Sequence, residues 1–141
     1  MDNRIESFIK AQRSLTLCTT IKNIPACASC FYAYMTSSNS LVFKSARSTA
    51  HVSNALINPN IAGTVVADIT KIGNVKGVQF VGNFIEPKEE LLECARRIYY
   101  RKYPFAVTIP GELWLIELTY VKLTDNTLGF GKKIIWHKET R

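Results

Sequence analysis

Short runs with strand-like composition recur along most of this 141-residue chain, and polar turns separate them. They are rich in β-branched and aromatic residues, and they lie at Ser14–Ile21, Ala26–Met35, Leu41–Phe43, Ile61–Ile69, Lys76–Ile85 and Leu113–Leu123. Helical patterns interrupt these runs at only three places, so the regular strand–helix alternation of a parallel sheet is absent. The pattern favours a mainly β fold, an antiparallel barrel of about six or seven strands with helices at its ends.

Each of the three helical segments has its own signal. Residues 3 to 13 place Ile5, Phe8 and Ile9 at helical spacing, which predicts a helix that covers a barrel end. A second, short helix is predicted from a cap at Ser48 or Thr49 to the stop signal of Asn58-Pro59, with an apolar stripe of Val52, Ala55 and Leu56. The third is predicted over Pro87–Tyr103, with acidic residues early and basic residues late.

The length and the composition indicate one domain spanning residues 1–141. There is no linker-like tract and no apolar run long enough to span a membrane, and the first residues are charged and amphipathic, unlike a signal peptide. We therefore expect a soluble cytoplasmic protein with no membrane partner.

The net charge is +7, from 18 Lys and Arg against 11 Asp and Glu, which is enough to attract phosphate-bearing molecules. Nucleic acid is an alternative partner. The basic residues are dispersed, however, and no nucleic-acid motif accompanies the densest cluster, Arg96, Arg97, Arg101 and Lys102 on the third helix. We do not expect nucleic-acid binding.

Polar residues gather where the strand at Leu41–Phe43 gives way to the second helix. They are Lys44, Ser45, Arg47, Ser48, Thr49 and His51. Unpaired backbone N–H groups and the positive end of the helix dipole favour an anion at such a position, so a phosphate fits here. The alternative is an ordinary capped surface helix with solvated basic neighbours.

Cys27 and Cys30 form a Cys-x-x-Cys motif, but they lie in a predicted strand. Residues three apart on a strand point to opposite faces, so the two thiols do not converge on a metal. We predict no metal site and interpret the cysteines as small buried residues of a reducing compartment. The same strand carries Ala28 and Ser29, whose small size either lets a flat ring approach or reflects a crowded barrel interior.

The order Ser45, Thr49-x-His51-x-x-Asn54 and Asn58-Pro59 resembles the flavin-phosphate segment of the FMN-binding split-barrel family, typified by pyridoxamine 5′-phosphate oxidase. Further segments resemble the YhbP-like bacterial branch of that family: Cys27-Ala28-x-x-Phe31-Tyr32, Gly63-Thr64-Val65, Gly77-Val78-Gln79-Phe80 and TDNTLGFGKKIIW. Together these segments cover nearly the whole chain.

This resemblance implies an antiparallel split barrel, a homodimer and a bound FMN at shared interfaces. It places the phosphate on Lys44, Ser45, Arg47, Thr49 and His51, and the flavin ring near Ala28, Ser29, Cys30 and Gln79. The expected activity is that of a flavin-dependent oxidoreductase, in which the cofactor supplies the chemistry and no side chain is assigned as catalytic.

The chain departs from the family pattern at three positions. Ala50-His51 replaces the usual Arg-Lys, Ser29 replaces a ring-facing arginine, and Gly77 replaces a glutamine. The end of the chain also lacks the substrate-phosphate residues of pyridoxamine phosphate oxidases, so that activity is not predicted. The alternative function is a non-catalytic dimeric binding module that has lost flavin or holds another phosphate-bearing or haem-like ligand.

The segment from Thr124 to Lys133 contains two glycines around Phe130, followed by two lysines. We predict a turn before a final strand. The alternative is a loop that closes over an anionic ligand.

Overall fold

A computed structural model of the protein describes residues 1–68, 72–129 and 131–140. The strands within these residues are β1 (Ser14–Ile21), β2 (Ile24–Met35), β3 (Ser40–Ser45), β4 (Asn60–Val66), β5 (Lys76–Ile85), β6 (Glu112–Asp125) and β7 (Lys133–His137). The α-helices are α1 (Asn3–Ala11), α2 (Ala50–Ile57) and α3 (Glu89–Lys102). None of the described helices combines the length and the apolar character needed to cross a membrane.

The strands form one antiparallel sheet in the order β3-β2-β1-β4-β5-β6-β7, and a further pairing of β3 with β6 closes it into a barrel. The long strand β6 makes this closure possible because one of its edges is shared. Its first half pairs with β3, and its second half pairs with β7. The predicted antiparallel split barrel is confirmed.

The barrel interior is filled by alternating apolar residues of the strands, among them Trp114, Tyr32 and Phe43. Two helices add to this core. Ile5, Phe8 and Ile9 of α1 are buried in it, as the helical spacing predicts, and so are Val52 and Ala55 of α2. Leu56, which the stripe of α2 also included, is 43% exposed, so that part of the prediction is wrong.

A second core lies outside the barrel, where α3 covers the outer surface of β2, β3 and β6. Ala95 and Tyr99 of α3 pack with Met35, Val42 and Leu115. The side chains of β3 therefore face two environments, the barrel interior and the layer beneath α3.

Strand β6 changes face partway along its length because the pairing with β5 is irregular. Val81 pairs with Tyr120 but Gly82 pairs with Leu118, so one residue of β6 is unmatched. A Cβ atom on Gly82 would lie 2.6 Å from the carbonyl oxygen of Glu117, which explains the glycine at this position. Regular alternation along the strand would put Tyr120 on the face of Trp114, but the irregularity puts Val121 there instead.

Two predicted segments touch residues outside the described part of the chain. The strand predicted to reach Ile69 ends at Val66, and Ile69 itself is outside the described residues. The glycine-rich segment forms a short 3-10 helix, Asn126–Leu128, capped by Asp125, and then a turn in which Gly129 has a φ of 121°. Phe130 is also outside the described residues.

Candidate functional site

At the junction between β3 and α2, the first backbone N–H groups of the helix are available as hydrogen-bond donors. Thr49 is the N-cap residue, and its hydroxyl accepts from the backbone N–H of Val52 at 3.4 Å and donates to the carbonyl of Ala46 at 2.8 Å. The first N–H groups of a helix have no intrahelical acceptor, which leaves those of Ala50 and His51 for another partner. Their dipoles favour a negative charge at this end.

Three polar side chains converge beside these N–H groups. The Oγ of Ser45 lies 2.7 Å from Nε2 of His51 and 3.4 Å from Oγ1 of Thr49, and Thr49 Oγ1 lies 3.4 Å from the same ring nitrogen. The Sγ of Cys30 approaches Nε2 of His51 at 3.9 Å from the neighbouring strand β2. We call Ser45, Thr49 and His51 the hydroxyl–imidazole cluster.

The cluster carries no formal charge at neutral pH. Burial lowers the pKa of His51 below its ordinary value of 6.5, so the ring is neutral, with one nitrogen that donates and one that accepts. Burial also raises the pKa of Cys30 to about 11, so this residue remains a thiol. The cluster therefore presents uncharged hydrogen-bonding groups to a ligand.

Lys44 lies beside this cluster in sequence but on the other face of β3. Its Nζ donates to the hydroxyl of Tyr100 and to the carbonyl of Ala106, both at 2.8 Å, and lies 4.9 Å from the centre of the Tyr100 ring. Because side chains alternate along a strand, Ser45 and Lys44 cannot point to the same site. The structure therefore separates Lys44 from the other predicted phosphate residues.

Arg47 is held by two carboxylates on other elements. Its Nε donates to Glu112 at 3.2 Å, its Nη2 also contacts Glu86, and the guanidinium lies 4.9 Å from the centre of the Trp114 ring. The positive charge of Arg47 is therefore already compensated within the protein.

The residues predicted to lie near a flavin ring occupy two surfaces. Ala28 and Cys30 face inward and pack against the barrel core, whereas Ser29 faces outward and is exposed, because neighbours on β2 alternate. Gln79 of β5 is exposed on the same outer surface as Ser29. The two belong to one row of paired residues, but two intervening strands separate them by roughly 14 Å.

The cysteines differ from the sequence interpretation in one respect. Cys27 and Cys30 do face opposite sides of β2, as predicted, but Cys27 is exposed rather than buried. Its partner across the strands is Cys18, a pair that the spacing of residues along one strand does not reveal. Among the described residues, no group of three histidine, cysteine or acidic side chains is placed to hold a metal ion.

Sequence reasoning missed the protein groups that bind the two cations. Tyr100, Glu86 and Glu112 come from distant parts of the chain, and nothing near Lys44 or Arg47 in sequence indicates them.

Comparison with known proteins adds the family. A UPF0306 protein of Photorhabdus laumondii is 37% identical over 134 residues, which cover 95% of this chain and 94% of the relative. The chain belongs to the UPF0306 family. A second UPF0306 protein, from Yersinia enterocolitica, is 34% identical over 134 residues and 91% of its length is covered. No protein-family model matches the chain.

Solved structures with the same fold include cofactor-binding proteins. A haem-binding protein from Mycobacterium smegmatis superposes with a TM-score of 0.77 at 16% identity, over 92% of this chain and 55% of that chain. An FAD-binding protein from the same species gives 0.70 at 15% identity, over 98% of both chains, and one from Mesorhizobium loti gives 0.69 at 15% identity over 86% of this chain and 92% of that chain. At these identities the likeness shows the fold. It confirms that this UPF0306 protein has the split-barrel fold of these cofactor-binding proteins.

Proposed function

We propose that this UPF0306 protein binds FMN, with the phosphate at the start of α2, and acts as a flavin-dependent oxidoreductase. The observation that carries the proposal is the convergence of the Ser45 hydroxyl, the Thr49 hydroxyl and the His51 ring, within 3.4 Å of one another. The free N–H groups of Ala50 and His51 adjoin them. This donor set suits a phosphate, whose oxygens accept several hydrogen bonds at once.

The two cations of the junction, Lys44 and Arg47, act on a phosphate through their electrostatic field and not by direct contact. Lys44 and Arg47 already have partners in the protein, so they are not the groups that contact the phosphate. The charge of Lys44 is bound to two uncharged oxygens and so is not neutralised. Together with the net charge of +7, it favours the approach of an anion.

The ring of the cofactor is assigned to the outer surface of the sheet. Ser29 and Gln79 are exposed there and supply polar groups, whereas Ala28 and Cys30 support β2 from inside the barrel. Val81 and Ile135 are 44% and 53% exposed on that surface, and a second copy of the chain in a homodimer would cover such apolar groups. The flavin itself supplies electron and hydride transfer, and the protein binds and orients it.

The first experiment asks which chromophore the protein holds. Purified protein should show flavin absorbance, or it should quench FMN fluorescence in a titration that saturates at one FMN per chain. Failure of FMN, FAD and riboflavin to bind would contradict the proposal.

Haem is the second candidate ligand. It is favoured because His51 is a neutral imidazole, the form of histidine that can ligate haem iron, and because the haem-binding structure from M. smegmatis has the same fold. A Soret band on titration with haemin, together with no response to flavins, would favour haem.

A further inference from the structure

Two cysteines on the outer surface of the barrel lie in direct contact. Cys18 of β1 is paired with Cys27 of β2 across the hairpin, and their Sγ atoms are 3.2 Å apart. Cys27 is exposed and Cys18 is half-buried. The pair lies on the opposite side of the sheet from the Cys30 contact with His51, so it is separate from the hydroxyl–imidazole cluster.

The hairpin places these cysteines at a position that accommodates a disulfide. A two-residue turn, Lys22-Asn23, joins the strands with φ values of 50° and 64°, and Ile21 pairs with Ile24 next to it. In such a hairpin the residue pair beside the turn is joined by backbone hydrogen bonds. Hydrogen-bonded and non-hydrogen-bonded pairs then alternate along the two strands. Cys18 and Cys27 form the fourth pair from the turn and are therefore a non-hydrogen-bonded pair.

A pair of this type has its Cα atoms about 4.5 Å apart, which lies within the range that disulfides span, about 4.4 to 6.8 Å. The two sulfur atoms already face each other on the same side of the sheet. A bond between them therefore requires side-chain rotation but no movement of the strands.

We propose that Cys18 and Cys27 are a peroxide-responsive dithiol that forms a reversible disulfide across the β1–β2 hairpin. Two thiols and one molecule of hydrogen peroxide give one disulfide and two molecules of water. A thiol reductant reverses the step: the reductant is oxidised to its own disulfide, and the two protein thiols are restored. The proposal does not depend on flavin binding.

The two sulfur atoms have different roles. Exposed Cys27 attacks a peroxide oxygen as the thiolate and becomes a sulfenic acid, and the other oxygen leaves as water. Cys18 then attacks the sulfur of Cys27, and its proton goes to the departing hydroxide. Burial, with help from the neighbouring Cys27, raises the pKa of Cys18 to about 11, so Cys18 stays protonated and is not the thiol that attacks peroxide.

The chain contains internal controls for this chemistry, because it has four cysteines. Cys30 faces the barrel interior and Cys94 lies on α3, so neither is paired with the reactive thiols. We expect the variant Cys94→Ser to lose the same two thiols to peroxide as the wild type.

The test is to treat the reduced protein with one equivalent of hydrogen peroxide and to count free thiols. Wild type should lose two of its four thiols, recover them with dithiothreitol, and yield a cross-linked peptide pair containing Cys18 and Cys27. Cys18→Ser should form no such link and should instead expose a sulfenic acid on Cys27 that a dimedone probe labels.

Retention of all four thiols in the wild type would overturn the proposal. So would a cross-link that includes Cys30 or Cys94, or equal dimedone labelling of Cys27 in wild type and in Cys18→Ser. Thermal unfolding of each variant, reduced, shows whether the substitution itself disturbs the fold.

Discussion

The β3–α2 junction has two sides that look alike in sequence and differ in structure. On one side the groups of the hydroxyl–imidazole cluster contact one another, and none of the described residues gives them a charged partner. On the other side the cations of Lys44 and Arg47, here called the cation pair, are bound by groups from α3, β6 and the segments between elements. The uncharged side is the one that adjoins the free backbone N–H groups of Ala50 and His51.

This difference shows that a cation near a helix start is not by itself a phosphate ligand. A charged group in a folded chain gains most by satisfying its own hydrogen bonds, and once these are made the group is costly to release. Neutral hydroxyl and imidazole groups make weaker internal contacts, so they can turn to a phosphate at lower cost. We therefore assign ligand binding to the cluster and structural support to the cation pair.

The largest expected effect tests the cluster. In the double variant Thr49→Ala/His51→Ala, the affinity for FMN should fall by about 100-fold, since two hydrogen bonds to a charged phosphate are lost. Fluorescence titration at a temperature well below unfolding measures it, because loss of the Thr49 cap also costs about 1 kcal/mol of stability.

Ser53→Ala is the matched control for this variant. Ser53 is exposed on the same helix and its hydroxyl donates to the carbonyl of Arg47, away from the cluster. Its affinity for FMN should equal that of the wild type. An unchanged affinity in the double variant would show that the phosphate lies elsewhere.

Lys44→Met should reverse the pattern of the cluster variant. The free energy of unfolding should fall by about 2 kcal/mol, because the substitution removes the ammonium together with its two hydrogen bonds and leaves both acceptors unpaired. The affinity for FMN should change by less than about threefold, since only the field of one charge is removed. Urea unfolding and FMN titration check the two values.

Lys133→Met removes the same charge from an exposed position on β7 and serves as the control for Lys44→Met. It should leave both quantities near those of the wild type. A Lys44→Met protein of normal stability that has lost FMN binding would place Lys44 among the phosphate ligands.

Arg47→Gln should give a smaller loss of stability than Lys44→Met, because the ion pairs of Arg47 with Glu86 and Glu112 are exposed to solvent. The loss should shrink as salt is added, since exposed charge pairs are screened. In the background Glu86→Gln/Glu112→Gln, the same Arg47 substitution should have almost no effect. Equal losses in both backgrounds would mean that the carboxylates do not hold Arg47.

The smallest effect concerns pH. Burial holds the pKa of His51 below 6.5, so the unfolded chain takes up the proton more readily than the folded protein. The free energy of unfolding should therefore decrease as the pH falls below 6.5, and His51→Gln should reduce this dependence. An unchanged pH dependence in His51→Gln would contradict this assignment.

Local signals in the sequence were sufficient for most of the fold. The predicted bounds of β1, Ser14–Ile21, are those of the structure, because the alternation is regular and a turn follows at once. The cap of α2 was also predictable, since Thr49 precedes the apolar stripe and Asn58-Pro59 ends it. The face on which Tyr120 lies was not predictable, because it depends on an irregular pairing of β6 with β5. No local sequence pattern indicates that irregularity.

The candidate site could be predicted only in part, for a similar reason. Ser45, Thr49 and His51 are within six residues of one another, so a strand followed by a helix brings them together. The partners of Lys44 and Arg47 are between 39 and 65 residues away in sequence, so their positions depend on how distant elements such as α3 and β6 pack. The alternation of β2 separates Ser29 from Ala28 and Cys30, but which of its faces is exposed follows from the closed barrel.

The affinities of wild-type protein for FMN and for riboflavin test the central claim most directly, because the two ligands differ only in the phosphate. If the start of α2 binds that phosphate, FMN should bind at least about tenfold more tightly than riboflavin. Equal affinities would contradict the account, since the hydroxyl–imidazole cluster would then contribute nothing to binding.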